Sequence, residues 1–251
     1  MEFITLDKEN LEREHICCAI SNNKDCQVAA KKAWLAARLD EGLVFRKADA
    51  RGKCFIEYIP AEKAWSPIAA DGYMHIDCLW VSGQFKGQGY AGQLLEHCIA
   101  DSRAKGKLGL TILSSPKKLS FLADPKFLRY KGFQPADSAA PHFELMYLPF
   151  DEAAAKPAFR ACAKQPQIAE QGFVLYYSQQ CPFTAKYVPL LVAAAESHGA
   201  PCRAIRLDSA EQAQNAPVAV TSFALFYNGK FVTHEIPSVP KFEKLLAAEG
   251  F

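Results

Sequence analysis

Apolar and polar residues alternate with a period of two over residues 73–81, Tyr-Met-His-Ile-Asp-Cys-Leu-Trp-Val, and then the pattern changes. A glycine-rich stretch follows. From residue 90 to 105 the apolar positions Leu94, Leu95, Cys98 and Ile99 recur at helical spacing, so a strand, a turn and an amphipathic helix are predicted in succession. Before this unit, residues 2–6 predict a strand. Asp7, Glu9 and Asn10 are start signals for a helix carrying Leu11, His15, Ile16 and Cys18, and residues 24–41 predict a second helix stopped by Gly42. Residues 42–60 read as a hairpin turning near Ala50, Arg51 and Gly52, and a long loop covers 61–72. After the amphipathic helix come a short strand (108–113), a helix (117–131) ending at Gly132, and a closing strand (143–148).

Between residues 151 and 172 the chain becomes alanine-rich, with two prolines and few large apolar side chains. This shift predicts a domain boundary, with 1–150 as one domain, 151–171 as a linker and 172–251 as a second domain. The second domain reads strand (173–177), helix beginning near Cys181 and Pro182, strand (203–207), short helix (209–214), hairpin, and last helix (241–249). Asn228-Gly229 marks the hairpin, between 219–227 and 230–235.

Lys and Arg together number 29 and Asp and Glu 27 among 251 residues, a net charge of +2. That balance gives no field suited to nucleic acid or an acidic membrane surface and favours a small-molecule partner. No apolar run reaches the ~18 residues of a bilayer span, and the acidic N-terminal stretch lacks a signal-peptide core, so a cytoplasmic protein is expected. The nine cysteines are scattered and never form C-x-x-C, which predicts reduced thiols, with neither a disulfide framework nor a metal site.

The glycine turn carries the chemistry. A strand, a turn with Gly87, Gly89 and Gly92, and a helix aim several backbone N–H groups and a helix dipole at one point, which suits a phosphate. The spacing is neither G-x-x-x-x-G-K-S/T nor G-x-G-x-x-G. Lys86-Gly87-Gln88-Gly89-Tyr90-Ala91 instead resembles the pyrophosphate loop of the GNAT (Gcn5-related) N-acetyltransferases, Arg/Gln-x-x-Gly-x-Gly/Ala, with lysine in first place. Leu79-Trp80-Val81 before it, Leu94-Leu95 after it and Lys131-Gly132-Phe133 farther on agree with that family, and the resemblance covers about residues 1–150.

The resemblance implies an α/β (α+β) GNAT fold with a mixed, splayed central sheet. It also implies acetyl-CoA as cosubstrate and a primary amine of a small molecule or protein as acceptor. Backbone groups of Leu79, Trp80 and Val81 would hold the pantetheine arm. Amides of Lys86, Gly87, Gln88, Gly89, Tyr90, Ala91 and Gly92 would hold the pyrophosphate. Candidate bases are His75 and Asp77, which the alternation puts on one strand face with Ile76 and Cys78 on the other, and Glu57 on the preceding strand. Family members commonly place a tyrosine beside the coenzyme sulfur, where this chain has Leu128; Tyr130 is about 200° farther around the helix. Trp65, Tyr58 and Tyr73 are candidate walls of an acceptor pocket.

The order of elements in 172–251 resembles a thioredoxin-like fold, and residues 177–184 are similar to its redox loop, with Cys181 at a helix N-terminus where the dipole favours thiolate. Thr184 stands where a dithiol enzyme has its second cysteine, and Thr221 where that family has its cis-proline. The whole arrangement resembles the YoaP-type group of GNAT proteins. Three functions follow as expectations: an N-acetyltransferase, a coenzyme A-binding sensor or scaffold with weak or lost catalysis, and a monothiol redox protein acting through Cys181.

Overall fold

The computed structural model describes residues 1–18, 24–151 and 153–251. A seven-stranded sheet is built from β1 (Phe3–Thr5), β2 (Val44–Ala48), β3 (Cys54–Pro60), β5 (Tyr73–Val81), β6 (Gly109–Ser114), β7 (Gln134–Ala139) and β8 (Phe143–Pro149), in the order β1-β2-β3-β5-β6-β8-β7. Every pairing is antiparallel except β5 with β6, which is parallel and joined by helix α2 (Tyr90–Ala104). Such a parallel pair needs a crossover, and the amphipathic helix provides it. Its buried stripe of Leu94, Leu95 and Cys98 packs with Ile56, Tyr58, Met74 and Ile76.

The opposite face of the sheet carries α1 (Cys26–Leu39). Asp25 caps it by accepting the Gln27 N–H, and Val28, Trp34 and Leu35 form its buried stripe over Phe45 and Phe55. The helix expected over residues 7–18 is instead a run of turns. Asp7 accepts the N–H groups of Glu9 and Asn10, and Asn10 accepts that of Asp7, so these short side chains bond the backbone locally and stop a helix from propagating.

The helix expected over 117–131 is confined to α3 (Pro125–Tyr130). The residue before a proline is driven out of the helical region, and Asp124 accordingly caps Lys126 from an extended conformation, leaving 117–124 as a loop. β7 was not expected in so polar a stretch. It lies at the sheet edge and pairs with β8 alone, a position that tolerates Pro135.

A second sheet, order β11-β10-β12-β13, is formed by β10 (Phe173–Tyr177), β11 (Cys202–Arg206), β12 (Phe223–Tyr227) and β13 (Lys230–Thr233). β10 and β11 are parallel; β12 runs antiparallel to β10 and to β13. Helices α5 (Phe183–Ser197), α6 (Ala210–Gln214) and α7 (Val239–Ala248) complete this unit, and Phe173, Leu175, Leu191, Phe223, Leu225 and Phe242 fill its core.

The segment between the two units is tied down. β9 (Ala158–Phe159) pairs with β4 (Ile68–Ala69) inside the long 61–72 loop, and α4 (Ala161–Lys164) follows; Glu152 of this segment lies outside the described residues. The units also share apolar cores. Trp34 and Trp65 cluster with Leu207, Ala213 and Ala216, while Tyr73, Phe143 and Leu145 cluster with Val174, Val218 and Phe226. Among the described residues no helix is long and apolar enough to cross a membrane.

Candidate active site

A cavity of about 670 Å³ runs along β5 and beneath the second unit. At one end lies the turn between β5 and α2. It opens with a 3-10 turn over Gly83–Phe85, and Gly87 (φ 75°) and Gly89 (φ 79°) then take left-handed conformations that favour glycine. A Cβ at either would meet no protein atom within 4 Å, so the backbone conformation, rather than crowding by the protein, demands glycine. Gly92 has no such backbone demand: a Cβ there would lie 3.0 Å from Lys131 Nζ, the tip of a flexible side chain.

Gly89 is the N-cap of α2 and offers no side-chain cap. The first intrahelical bond runs from the Gln93 N–H to the Gly89 carbonyl, so the amides of Tyr90, Ala91 and Gly92 precede the hydrogen-bonded ladder. An uncapped helix start after a positive-φ turn fits a phosphate group. Lys86 and Ala91 line the cavity at this end.

In the middle, β5 parts from β6. Their pairing covers only Tyr73 to Gly109 through Ile76 to Ile112, after which β6 continues with β8 and β5 with β3. The edge of Leu79, Trp80 and Val81 that faces β6 is therefore unpaired, and all three residues line the cavity. An unpaired strand edge is a template for another hydrogen-bonding chain.

The parting follows a β-bulge. Cys78 opposes Glu57 and Ile76 opposes Tyr58, so Asp77 is an extra residue in β5. The bulge corrects the simple alternation. Ile76, Leu79 and Val81 face the α2 core, whereas Cys78 and Trp80 pack on the α1 side. Cys78 thus joins Asp77 and His75 in lining the cavity, although strict period two puts it on the opposite face.

The three candidate bases occupy different settings. Glu57 receives the Lys31 ammonium at 2.8 Å on one oxygen and 2.6 Å on the other, in a pair that is almost fully buried. Burial, the largest single effect, opposes the charge on Lys31, but Glu57, Cys18 and Asp77 together outweigh it, so the Lys31 pKa is raised. His75 is 2% exposed; its Nδ1 is 2.9 Å from Thr111 Oγ1, and burial pushes its pKa down to about 4. The Asp77 side chain is 4% exposed, with its carboxylate 4.0 Å from His75 Nε2. Burial and then the charge of Glu57 raise the Asp77 pKa well above the ordinary carboxylate range, while Lys31 and a hydrogen bond with the Gln180 side chain oppose the rise.

The far wall comes from the second unit: Gln180, Cys181, Pro182 and Thr221 line this end together with Cys18, Trp65 and Ser66. Lys31 Nζ also donates to the Gln180 carbonyl at 2.8 Å, and the Thr221 hydroxyl donates to the Trp65 carbonyl. Thr184 donates at 2.8 Å to the carbonyls of Ser178 and Cys181, so the residue in the second-cysteine position braces the loop. The expected thiolate at Cys181 is not favoured. Burial pushes its thiol up to about 11, against the lowering effect of the Phe183 N–H and of Lys31.

Lys31, Cys18, Gln180 and Thr221 escaped the sequence reading as members of one site, because the only link among them is long-range packing. Of the aromatic residues expected around an acceptor, Trp65 lines the cavity, whereas Tyr58 faces Asp101 at 3.0 Å and Tyr73 donates to the Ala155 carbonyl. Leu128 is buried and lines the cavity without a hydroxyl, and Tyr130, 84% exposed, points into solvent as its helical offset predicts. Among the described residues no group of three or more His, Cys, Asp or Glu side chains is arranged to hold a metal.

Comparison with known proteins adds family-level information. Residues 8–117 match the acetyltransferase (GNAT) family model, and residues 201–244 match the YoaP-like model. The uncharacterized N-acetyltransferase YoaP of Bacillus subtilis (strain 168) is 46% identical over 247 residues, covering 98% of each chain. Among solved structures, a ribosomal-protein-alanine N-acetyltransferase from Brucella melitensis aligns at 14% identity over 60% of this chain and 100% of its own, with a TM-score of 0.44. The PaiA N-acetyltransferase from Thermoplasma acidophilum, solved with coenzyme A, aligns at 15% identity over 60% and 100%, with a TM-score of 0.40.

Proposed function

Because this chain belongs to the GNAT acetyltransferase family, with a YoaP-like C-terminal part, we propose that it transfers an acetyl group from acetyl-CoA to the primary amine of a small molecule or protein. What supports the reading is one continuous cavity that joins the uncapped start of α2, the unpaired edge of β5 and the Asp77 carboxylate.

The residues divide the work as follows. Amides of residues 87–92 bind the pyrophosphate, and Lys86 adds a cation without the bidentate geometry of arginine. Backbone groups of Leu79, Trp80 and Val81 orient the pantetheine arm. Acetyl-CoA supplies the activated acyl carbon. Asp77 takes a proton from the ammonium of the acceptor, and its raised pKa brings it toward the strength a general base needs near neutrality. The amine nitrogen then bonds to the acyl carbon as the carbon–sulfur bond breaks, and the surplus proton of the nitrogen passes to the departing thiolate, giving the amide and the free thiol. Glu57 is committed to Lys31, and His75 is buried against Thr111, so both serve as supports rather than bases.

One observation favours a second reading. Leu128 supplies no acid beside the departing sulfur, which suits a coenzyme A-binding sensor. Calorimetry of acetyl-CoA binding combined with thiol release over an amine panel separates the two. Binding with turnover is expected; tight binding with no turnover on any amine would support the sensor.

We read 1–150 and 172–251 as two units joined by 151–171, and the second as thioredoxin-like, because its strand order places a parallel pair beside an antiparallel hairpin. The raised Cys181 pKa counts against the monothiol redox alternative. A cytoplasmic location agrees with nine free thiols.

A further inference from the structure

Resting on the acetyltransferase reading above, we propose that the C-terminal unit completes the acceptor pocket, and that the acceptor is a small primary monoamine with a neutral, apolar body rather than a protein amine. Gln180, Cys181 and Thr221 form the wall opposite β5, so the acceptor end is enclosed by two units of the chain and not by the acetyltransferase sheet alone. This wall is built in rather than loosely apposed. Lys31 binds the Gln180 carbonyl, Thr221 binds the Trp65 carbonyl, and Gln214 donates to the carbonyls of Glu62 and Ala64 at 3.1 and 3.0 Å. His234 holds the other side of the cavity through the Ser120 carbonyl at 3.0 Å.

The enclosure limits size. Glu57, Lys31 and Asp77 are almost wholly screened from solvent, and a cavity of about 670 Å³ has to take both the thioester arm and the acceptor. That is a small-molecule volume.

Charge limits chemistry. Lys31 is the cation at this end and is already paired with Glu57, so a carboxylate on the acceptor would find no partner there. Among the described residues lining this end, Asp77 is the carboxylate with no ion pair to a lysine or arginine, which suits a single ammonium. Much of the remaining lining is thiol or apolar, from Cys18, Cys78, Cys181, Trp65, Pro182 and Val220; the Thr221 hydroxyl is bonded to the Trp65 carbonyl, and the buried Ser66 hydroxyl lacks a hydrogen-bond partner. Gln180 lines the cavity with Asp77 and is anchored through its carbonyl to Lys31, so it is a positioning residue whose side chain holds the Asp77 pKa down.

The test uses the full chain with propylamine, benzylamine and phenethylamine against a hexapeptide carrying a free N-terminal alanine and one lysine. Thiol release is expected to favour the best monoamine over the peptide by roughly 100-fold in kcat/KM. A peptide used as well as the best monoamine overturns the inference. Cys181→Trp should fill the wall and abolish monoamine turnover while acetyl-CoA affinity by calorimetry stays within about twofold; turnover kept within about threefold of the unaltered protein overturns the inference.

Gln180→Ala leaves the loop backbone intact and should move the acid limb of the kcat/KM profile to higher pH, since the hydrogen bond from the Gln180 amide to Asp77 is lost, with Gln180→Asn, which keeps an amide donor, giving partial rescue. An unmoved acid limb with unchanged kcat/KM counts against the positioning role. If acetyl-CoA fails to bind, or binds with no thiol released on any amine, the acetyltransferase reading falls, and this inference with it. That result is distinct from a preference for peptides.

Discussion

The Lys31 ammonium lies 2.6 Å from the Glu57 carboxylate, with the two side chains 2% and 1% exposed. The pair joins α1 to β3, and through the Gln180 carbonyl it also reaches the C-terminal unit. Removing one partner leaves an uncompensated buried charge, so Lys31→Met or Glu57→Gln should each lower unfolding free energy by about 3–5 kcal/mol. The double replacement should recover much of that loss. Urea denaturation of the three variants checks it; single replacements that cost under about 1 kcal/mol would show that the pair does not hold the units together.

Asp77 stands at the bulge with an elevated pKa caused chiefly by burial. As the base it must be ionised, so activity should be low in acid and rise with pH through a value above the ordinary carboxylate range. Asp77→Asn should lose this acid limb and about 10²- to 10⁴-fold in kcat/KM, with acetyl-CoA affinity little changed. A variant that keeps both its rate and its pH profile would move the base elsewhere.

Gly89 has φ 79° and caps α2. Gly89→Ala forces a side chain into the left-handed region and should cost about 1–2 kcal/mol of stability. It should also weaken acetyl-CoA binding, because the amides of the following turn lose their aim. Thermal unfolding and calorimetry read the two effects separately, and unchanged affinity would argue that the turn does not cradle the pyrophosphate.

His75 gives a pH signature of stability. Its pKa in the fold is about 4, below the ordinary 6.5, because burial disfavours the imidazolium. Below pH 6.5 the unfolded chain takes up a proton that the folded ring refuses. The stabilisation is therefore full above pH 6.5 and is lost as pH falls toward 4, on the order of 3 kcal/mol in all. His75→Gln should flatten that part of the stability profile; an equally steep decline in the variant would assign the loss to other groups.

What sequence alone determined was local. The strand over 73–81, the positive-φ glycines and the amphipathic helix could be read because alternation, turn chemistry and helical spacing depend on near neighbours. Tyr130 pointing away from the site also followed from helix geometry. The family resemblance rested on the same local motifs.

Tertiary structure decided the rest. Asp77 became an extra residue only because β3 and β5 pair with a bulge, and that slip carried Cys78 into the cavity. Of three acidic or basic candidates, the sheet and α1 committed Glu57 to Lys31, 26 positions away, and left Asp77 with no ion pair to a lysine or arginine among the described residues. Gln180 and Thr221 reached the same site from a distant part of the chain, through contacts that leave no periodic mark. Burial also reversed the expectation for Cys181: a helix start favours thiolate, but desolvation between two packed units is the larger effect. Electrostatics and enclosure depend on what surrounds a group in space, and spacing along the chain does not encode that.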